Sequence, residues 1–144
     1  MPKEIKTEIE INSNPAKIWK LLMDFEKYPE WNPFIKSIKG QAVEGAKIVV
    51  KMEPPDAKGM TFKPIILRIN PEKEFRWLGH LFIKGLFDGE HIFELIVKQD
   101  GITTFIQREI FKGILVPLFK NMLDNNTRKG FELMNQQLKI ESEK

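Results

Sequence analysis

A series of short two-periodic segments ends in one long amphipathic helix, and that order leaves few ways to build a core. Ile5, Thr7, Ile9 and Ile11 alternate with Glu4, Lys6, Glu8 and Glu10, the pattern of a strand with one face in water. Further strands are expected near 35–42, 46–53, 60–70, 73–83, 87–98 and 102–112. The closing helix is expected over 115–140, with Leu115, Phe119, Met122, Leu123, Leu133 and Met134 in one apolar sector. Asp124, Arg128 and Glu132 are spaced for i,i+4 pairing on the opposite side. At about 1.5 Å per residue this helix is roughly 38 Å long, enough to cross a whole domain. A helix of that length buries its stripe against one broad surface. An antiparallel sheet of about seven strands curved around it supplies that surface and leaves a cavity between the two.

Between the first strand and the others lies a helix with clear punctuation. Asn14 suits an N-cap and Pro15 the first helical position, where its missing amide costs nothing. Ile18, Leu21, Leu22 and Phe25 then fall on one face, with Trp19 off that stripe. Pro29 and Pro33 bracket a second short helical or irregular segment containing Trp31 and Phe34. The best-defined turn is Lys98-Gln99-Asp100-Gly101, which suits a type I turn with the glycine left-handed in a bulge. That geometry pairs Val97 with Thr103, Leu95 with Phe105, Phe93 with Gln107, and His91 with Glu109. It gathers Phe93, Leu95, Phe105 and Phe111 on one face and leaves Glu90, Glu94 and Arg108 on the other. A one-residue slip would invert every side chain, so burial favours this register.

The 144 residues fit one domain, 1–144, with a real core and no repeat, linker or low-complexity run. Several functions are disfavoured. With no cysteine there is no disulfide framework or thiol nucleophile, which fits a cytoplasmic location. Two histidines and no carboxylate cluster make no metal-ligand set, and no glycine-rich phosphate loop appears. No cofactor is expected. The net charge of +3 is spread through mixed runs such as KTEIE and NPEKEF, which is a solvated surface rather than a nucleic-acid stripe. The first residues lack the apolar core of a signal peptide, and the most apolar stretch, 113–119, is too short to span a bilayer. No stable membrane insertion is expected.

The segments PAKIWKLLMDFEKYPEWNPFIKSIKG, FRWLGHL, GLFDGEHIFEL, TFIQREIFKGILVPL and TRKGFELMNQQLK, in that order, carry a resemblance. The chain resembles the START / polyketide-cyclase-like (SRPBCC) superfamily, and around Trp31-Asn32-Pro33 and Gly113 it is similar to the polyketide cyclase/dehydrase-type branch. The resemblance implies an α+β helix-grip fold: the curved sheet wrapped around the long C-terminal helix, with two short helices after strand 1. It also implies that an apolar or aromatic small molecule, such as a lipid or polyketide, is bound in the internal cavity, with its transport as a further role. Two alternatives stay open, a cyclase/dehydratase-type enzyme using the same pocket and a co-chaperone or quinone-pathway interaction module.

The candidate site residues follow from the expected inner faces. His91 and Glu109 are cross-strand neighbours, with Gln107 one pair away. A carboxylate beside an imidazole orients the ring and suits it to proton transfer; the same cluster serves equally to fix sheet register. Trp31 and Phe34 are expected at the cavity rim or as a plug of the core. Trp77, Phe93, Phe105, Phe119 and Met122 supply apolar wall. Gly79, in mid-strand beside Trp77, marks a bend or a close approach. Asn126 and Gly130 interrupt the apolar face of the helix, which points either to a cavity or to close helix–sheet contact. His80 falls on the outer face and is given no role.

Overall fold

The computed structural model describes residues 2–144. Strand β1 (Lys3–Ile11) turns inward Ile5, Thr7 and Ile11 and leaves the intervening charges in water. It is followed by α1 (Pro15–Met23), where the Asn14 side-chain oxygen accepts from the Lys17 amide at 2.9 Å. Ile18 and Leu22 of α1 are fully buried. A single 3₁₀ turn at Phe25–Lys27 leads into α2 (Tyr28–Trp31). Asn32 Oδ1 then accepts from the amides of Phe34 and Ile35, at 2.9 and 2.8 Å, and so closes α2 and launches β2 (Ile35–Lys39).

Among the described residues, eight strands form two antiparallel sheets. The larger has the order β1-β8-β7-β6-β5, where β5 is Ile65–Asn70, β6 Glu74–Leu81, β7 Phe87–Gln99 and β8 Ile102–Lys112. The smaller has the order β2-β3-β4, where β2 is Ile35–Lys39, β3 Val49–Met52 and β4 Met60–Phe62. The segment expected as one strand over 60–70 is cut at Lys63-Pro64, because proline has no amide to donate to a ladder. The sheets meet at this break. Ile48 donates to the Pro64 carbonyl at 2.9 Å, and Ile66 and Ala46 are bonded at 2.9 Å.

The β7–β8 hairpin has the register that burial favoured. Val97 lies opposite Thr103, Leu95 opposite Phe105, Phe93 opposite Gln107 and His91 opposite Glu109. Gly101 sits at φ +76°, and the ladder shifts between Val97 and Gln99, as a bulged turn requires. On the outer face the excluded charges form cross-strand pairs. Arg108 reaches Glu94 at 2.8 Å and Glu4 at 3.0 Å, while Arg76 reaches Glu90 at 2.9 Å.

The core is an aromatic file between this sheet and the helices. Phe25, Phe75, Phe93 and Phe105 stack in sequence with ring centroids 5.8, 5.7 and 6.0 Å apart. Tyr28 is wholly buried beside it and donates to the Leu22 carbonyl at 2.8 Å, and burial pushes its phenol far above the ordinary range.

The C-terminal helix differs from a regular rod. Its first part is a 3₁₀ turn at Val116–Phe119, then α3 (Lys120–Met122), then a π-helical turn at Leu123–Thr127. Only α4 (Arg128–Ser142) is regular for several turns. Leu133, expected in the apolar sector, is exposed; Phe131, Met134 and Leu138 make the buried face instead. Asp124 is not held by Arg128 but by Lys3 of β1, at 2.6 Å.

Candidate functional site

The irregular half of the C-terminal helix is where sheet and helix part. A cavity of about 100 Å³ lies there, closed on three sides. The large sheet contributes Trp77, Gly79 and Leu81 from β6, Phe87 and Gly89 from β7, and Glu109 and Phe111 from β8. The small sheet and its links contribute Phe34, Met52, Pro54, Met60, Phe62 and Pro64. The helix contributes Phe119, Met122, Leu123 and Thr127, all from its 3₁₀, α3 and π turns.

Two glycines open this space. Gly79 and Gly89 lie directly opposite each other on β6 and β7, on the inner face that otherwise carries large side chains. A Cβ on Gly89 would stand 2.3 Å from Glu109 Oε2, so the missing side chain is what lets the carboxylate occupy the wall. Glu109 is the one charged side chain among the lining residues, and Thr127 is the other polar side chain.

Behind Glu109 is a buried polar chain. The His91 ring is fully buried between Trp77, Phe93 and Phe131, with centroids 5.1, 4.6 and 5.1 Å away. Its Nε2 is 2.9 Å from Gln107 Oε1. Gln107 Nε2 donates to Asn135 Oδ1 at 2.8 Å, Asn135 Nδ2 donates to Thr7 Oγ1 at 2.9 Å, and the Thr7 hydroxyl donates to the Gln107 carbonyl at 2.9 Å. Every link donates in one direction, which makes His91 Nε2 the protonated nitrogen in this chain. His91 Nδ1 is then the free end. It lies 3.2 Å from Glu109 Oε1, out of line for a hydrogen bond, and is otherwise unpartnered.

The expected site residues divide into three groups. Phe34, Trp77, Glu109, Phe119 and Met122 line the cavity. His91 and Gln107 form the buried chain behind it, together with Thr7 and Asn135, which sequence reasoning did not select. Asn135 follows Met134 on the buried face of α4, and a polar residue there was the available signal. Trp31, Phe93, Phe105, Asn126 and Gly130 do not reach the cavity. Trp31 is a plug, buried against Tyr28 at 5.2 Å. Phe93 and Phe105 belong to the aromatic file. Asn126 Nδ2 donates to the Pro55 carbonyl at 2.8 Å and ties the π turn to the β3–β4 loop. Gly130 makes room for Phe34, whose ring would stand 2.4 Å from a Cβ at that position. The helix wall expected from Asn126 and Gly130 therefore comes from Phe119, Met122, Leu123 and Thr127.

Among the described residues no group of three His, Cys, Asp or Glu side chains is placed to hold a metal ion. Among the same residues no helix is long and apolar enough to cross a membrane. A second, wider hollow of about 630 Å³ lies between the β5–β6 turn and the end of β7, but it is an open groove edged by Glu72, Lys73, Glu74 and Glu94.

Solved structures share this architecture at low sequence identity. The aromatase/cyclase Zhui from Streptomyces sp. R1128 superposes with a TM-score of 0.81 at 9% identity, covering 99% of this chain and 94% of that one. A norcoclaurine synthase point mutant from Thalictrum flavum gives 0.74 at 11% identity, covering 97% and 93%. StfQ, a di-domain aromatase/cyclase of the steffimycin biosynthetic pathway, gives 0.79 at 12% identity; the match covers 99% of this chain and 52% of StfQ, so this chain spans about half its length. No curated protein matches by sequence. The helix-grip arrangement, its cavity and these superpositions agree with a match of residues 2–143 to the model described as "Polyketide cyclase / dehydrase and lipid transport", and the chain belongs to that family.

Proposed function

We propose that this protein binds an apolar small molecule that carries one hydrogen-bond-donating or cationic group. The observation that carries this reading is the single carboxylate, Glu109, set in an otherwise almost wholly apolar wall. Affinity would come from apolar area removed from water, at about 25 cal/mol per Å². Orientation would come from Glu109, since a carboxylate left facing an apolar ligand without a donor is costly.

The size of the space bears on the ligand. At about 100 Å³ it is below the roughly 300–1,000 Å³ of ordinary ligand sites. The lining that has to yield is soft: Met52, Met60 and Met122 are three of the six methionines in the chain. Methionine adapts its shape at little cost. The β3–β4 loop above it is tied to the helix by the Asn126–Pro55 bond. A ligand of ordinary size would enter by repacking these side chains.

A second reading is a proton-transfer enzyme of cyclase or dehydratase type, favoured by the free His91 Nδ1 beside Glu109. In that reading Glu109 exchanges a proton with the bound molecule, and His91, held by Gln107, takes up or returns it. A Glu109→Gln variant that binds a substrate but turns it over at the normal rate would sink this reading.

Native mass spectrometry of the purified chain, followed by extraction and identification of any retained molecule, tests the binding reading. An empty protein that also fails to bind a panel of apolar amines, phenols and fatty acids would overturn it.

A further inference from the structure

One end of the molecule exposes apolar side chains that nothing in the fold requires. The β6–β7 loop presents Phe82 and Ile83, which are 67% and 68% exposed, and the segment after β8 presents Ile114 and Leu118, both 77% exposed. The two segments form one structural unit. Ile114 donates to the Gly85 carbonyl at 3.3 Å and Leu115 to the Leu86 carbonyl at 3.0 Å. Gly113, at φ +132°, permits this approach, since a Cβ there would stand 2.3 Å from the Leu86 carbonyl oxygen.

Two further observations say what covers these side chains. Lys84 lies between Ile83 and Gly85, Lys112 precedes Gly113, and Lys120 begins α3; all three are exposed, and among the described residues none sits in an ion pair. The neighbouring carboxylates are already held, Asp88 by His80 at 2.7 Å and Asp124 by Lys3 at 2.6 Å. Phe82 is also in the left-handed region, at φ +73°. A bulky side chain is disfavoured there, where glycine or asparagine would be tolerated. An exposed aromatic kept at a strained position serves something other than folding.

We propose that this end docks on an anionic lipid bilayer, with Phe82, Ile83, Ile114 and Leu118 entering the interfacial layer and Lys84, Lys112 and Lys120 meeting the phosphates. Apolar side chains ringed by lysines match an interface that is apolar beneath and negative at its surface. The same segments lead into Leu81, Phe87 and Phe119 of the cavity wall, so the docked face adjoins the cavity. The proposal goes beyond ligand binding and does not depend on it.

Flotation of the 144-residue chain with phosphatidylcholine vesicles, with and without phosphatidylserine, tests the proposal. Binding is expected to the phosphatidylserine vesicles, and to weaken as salt is raised. Lys84→Gln and Lys120→Gln are each expected to weaken it about five-fold. Phe82→Asn and Ile83→Ser are each expected to weaken it about ten-fold or more. The melting temperature of the Phe82→Asn variant is expected to hold or rise, because the strain is relieved. No flotation with either vesicle, or flotation unchanged by the two apolar substitutions, overturns the proposal. So does self-association in sedimentation velocity that those substitutions abolish, which would assign the face to a second copy of the chain. Ligand binding measured without vesicles is unaffected by any of these outcomes.

Discussion

Glu109 and Gln107 stand two residues apart on the inner face of β8, yet they have different surroundings. Glu109 faces the gap left by Gly89, while Gln107 is locked between His91 and Asn135. Glu109→Gln keeps the shape and removes the charge. It is expected to leave the melting temperature within a few degrees and to weaken an apolar amine about ten-fold or more, since hydrogen bonds to charged groups are worth roughly 1.5–3 kcal/mol; isothermal titration calorimetry reads the change. Gln107→Leu acts differently. It leaves His91 Nε2 and Asn135 Oδ1 buried without partners, and each such loss costs about 1–3 kcal/mol. A drop of about 2–3 kcal/mol or more in urea unfolding is expected, and a change within error would show that the polar chain does not stabilise the fold.

The C-terminal helix does two jobs in two halves. The 3₁₀, α3 and π turns wall the cavity, and α4 seals the core. A π turn widens the helix by one residue, and such turns recur at functional sites. Gly130, at the start of α4, gives a sharp test of packing against propensity. Glycine to alanine in a helix ordinarily stabilises by about 1 kcal/mol. Here the new methyl would stand 2.4 Å from the Phe34 ring. Gly130→Ala is therefore expected to lower stability, by about 1–3 kcal/mol, as overpacking does; thermal or urea unfolding decides the sign.

The β6–β7 turn is fastened by Asp88, which accepts from the Gly85 amide at 3.1 Å and pairs with His80 at 2.7 Å. Burial alone would raise its carboxyl, but the His80 bond, the Gly85 amide and the charges of His80 and Lys84 together bring it below the ordinary 3.8. A lowered folded value means that the stabilisation is complete above that ordinary value and is lost as pH falls through the folded one. Amide exchange in 83–86 is expected to speed up below about pH 4 relative to the β7–β8 ladder, and Asp88→Asn is expected to remove that pH dependence.

At the scale of the whole molecule, the cavity exists because two facing glycines and a break between sheets leave space that the helix does not fill. Gly79 has room for a side chain: a Cβ there would meet only Pro64, at 3.4 Å. Gly79→Val is expected to fill part of the cavity and keep or raise the melting temperature. It is also expected to abolish the thermal shift that a bound ligand produces in the parent protein. A ligand-dependent shift that survives in this variant would place the binding site elsewhere.

The strand and helix order, the β7–β8 register, the pairing of His91 with Glu109 and the capping of α1 by Asn14 were all legible in the sequence. Each rests on local chemistry or on a period of two or 3.6 residues that one buried face enforces. The split of 60–70 into β4 and β5 was signalled by Pro64, whereas the π turn and the Thr7–Gln107–Asn135–His91 chain were not legible. They depend on residues far apart in the chain meeting at set distances, and Thr7 and Asn135 are separated by most of its length. Whether a glycine opens a cavity or admits a ring depends on what stands opposite it. Gly89 faces Glu109 and Gly130 faces Phe34, and only the packed structure decides which. The long helix behind a run of strands determined that there would be a pocket; tertiary packing decided that it lies under the irregular half of that helix, with Glu109 as its one charge.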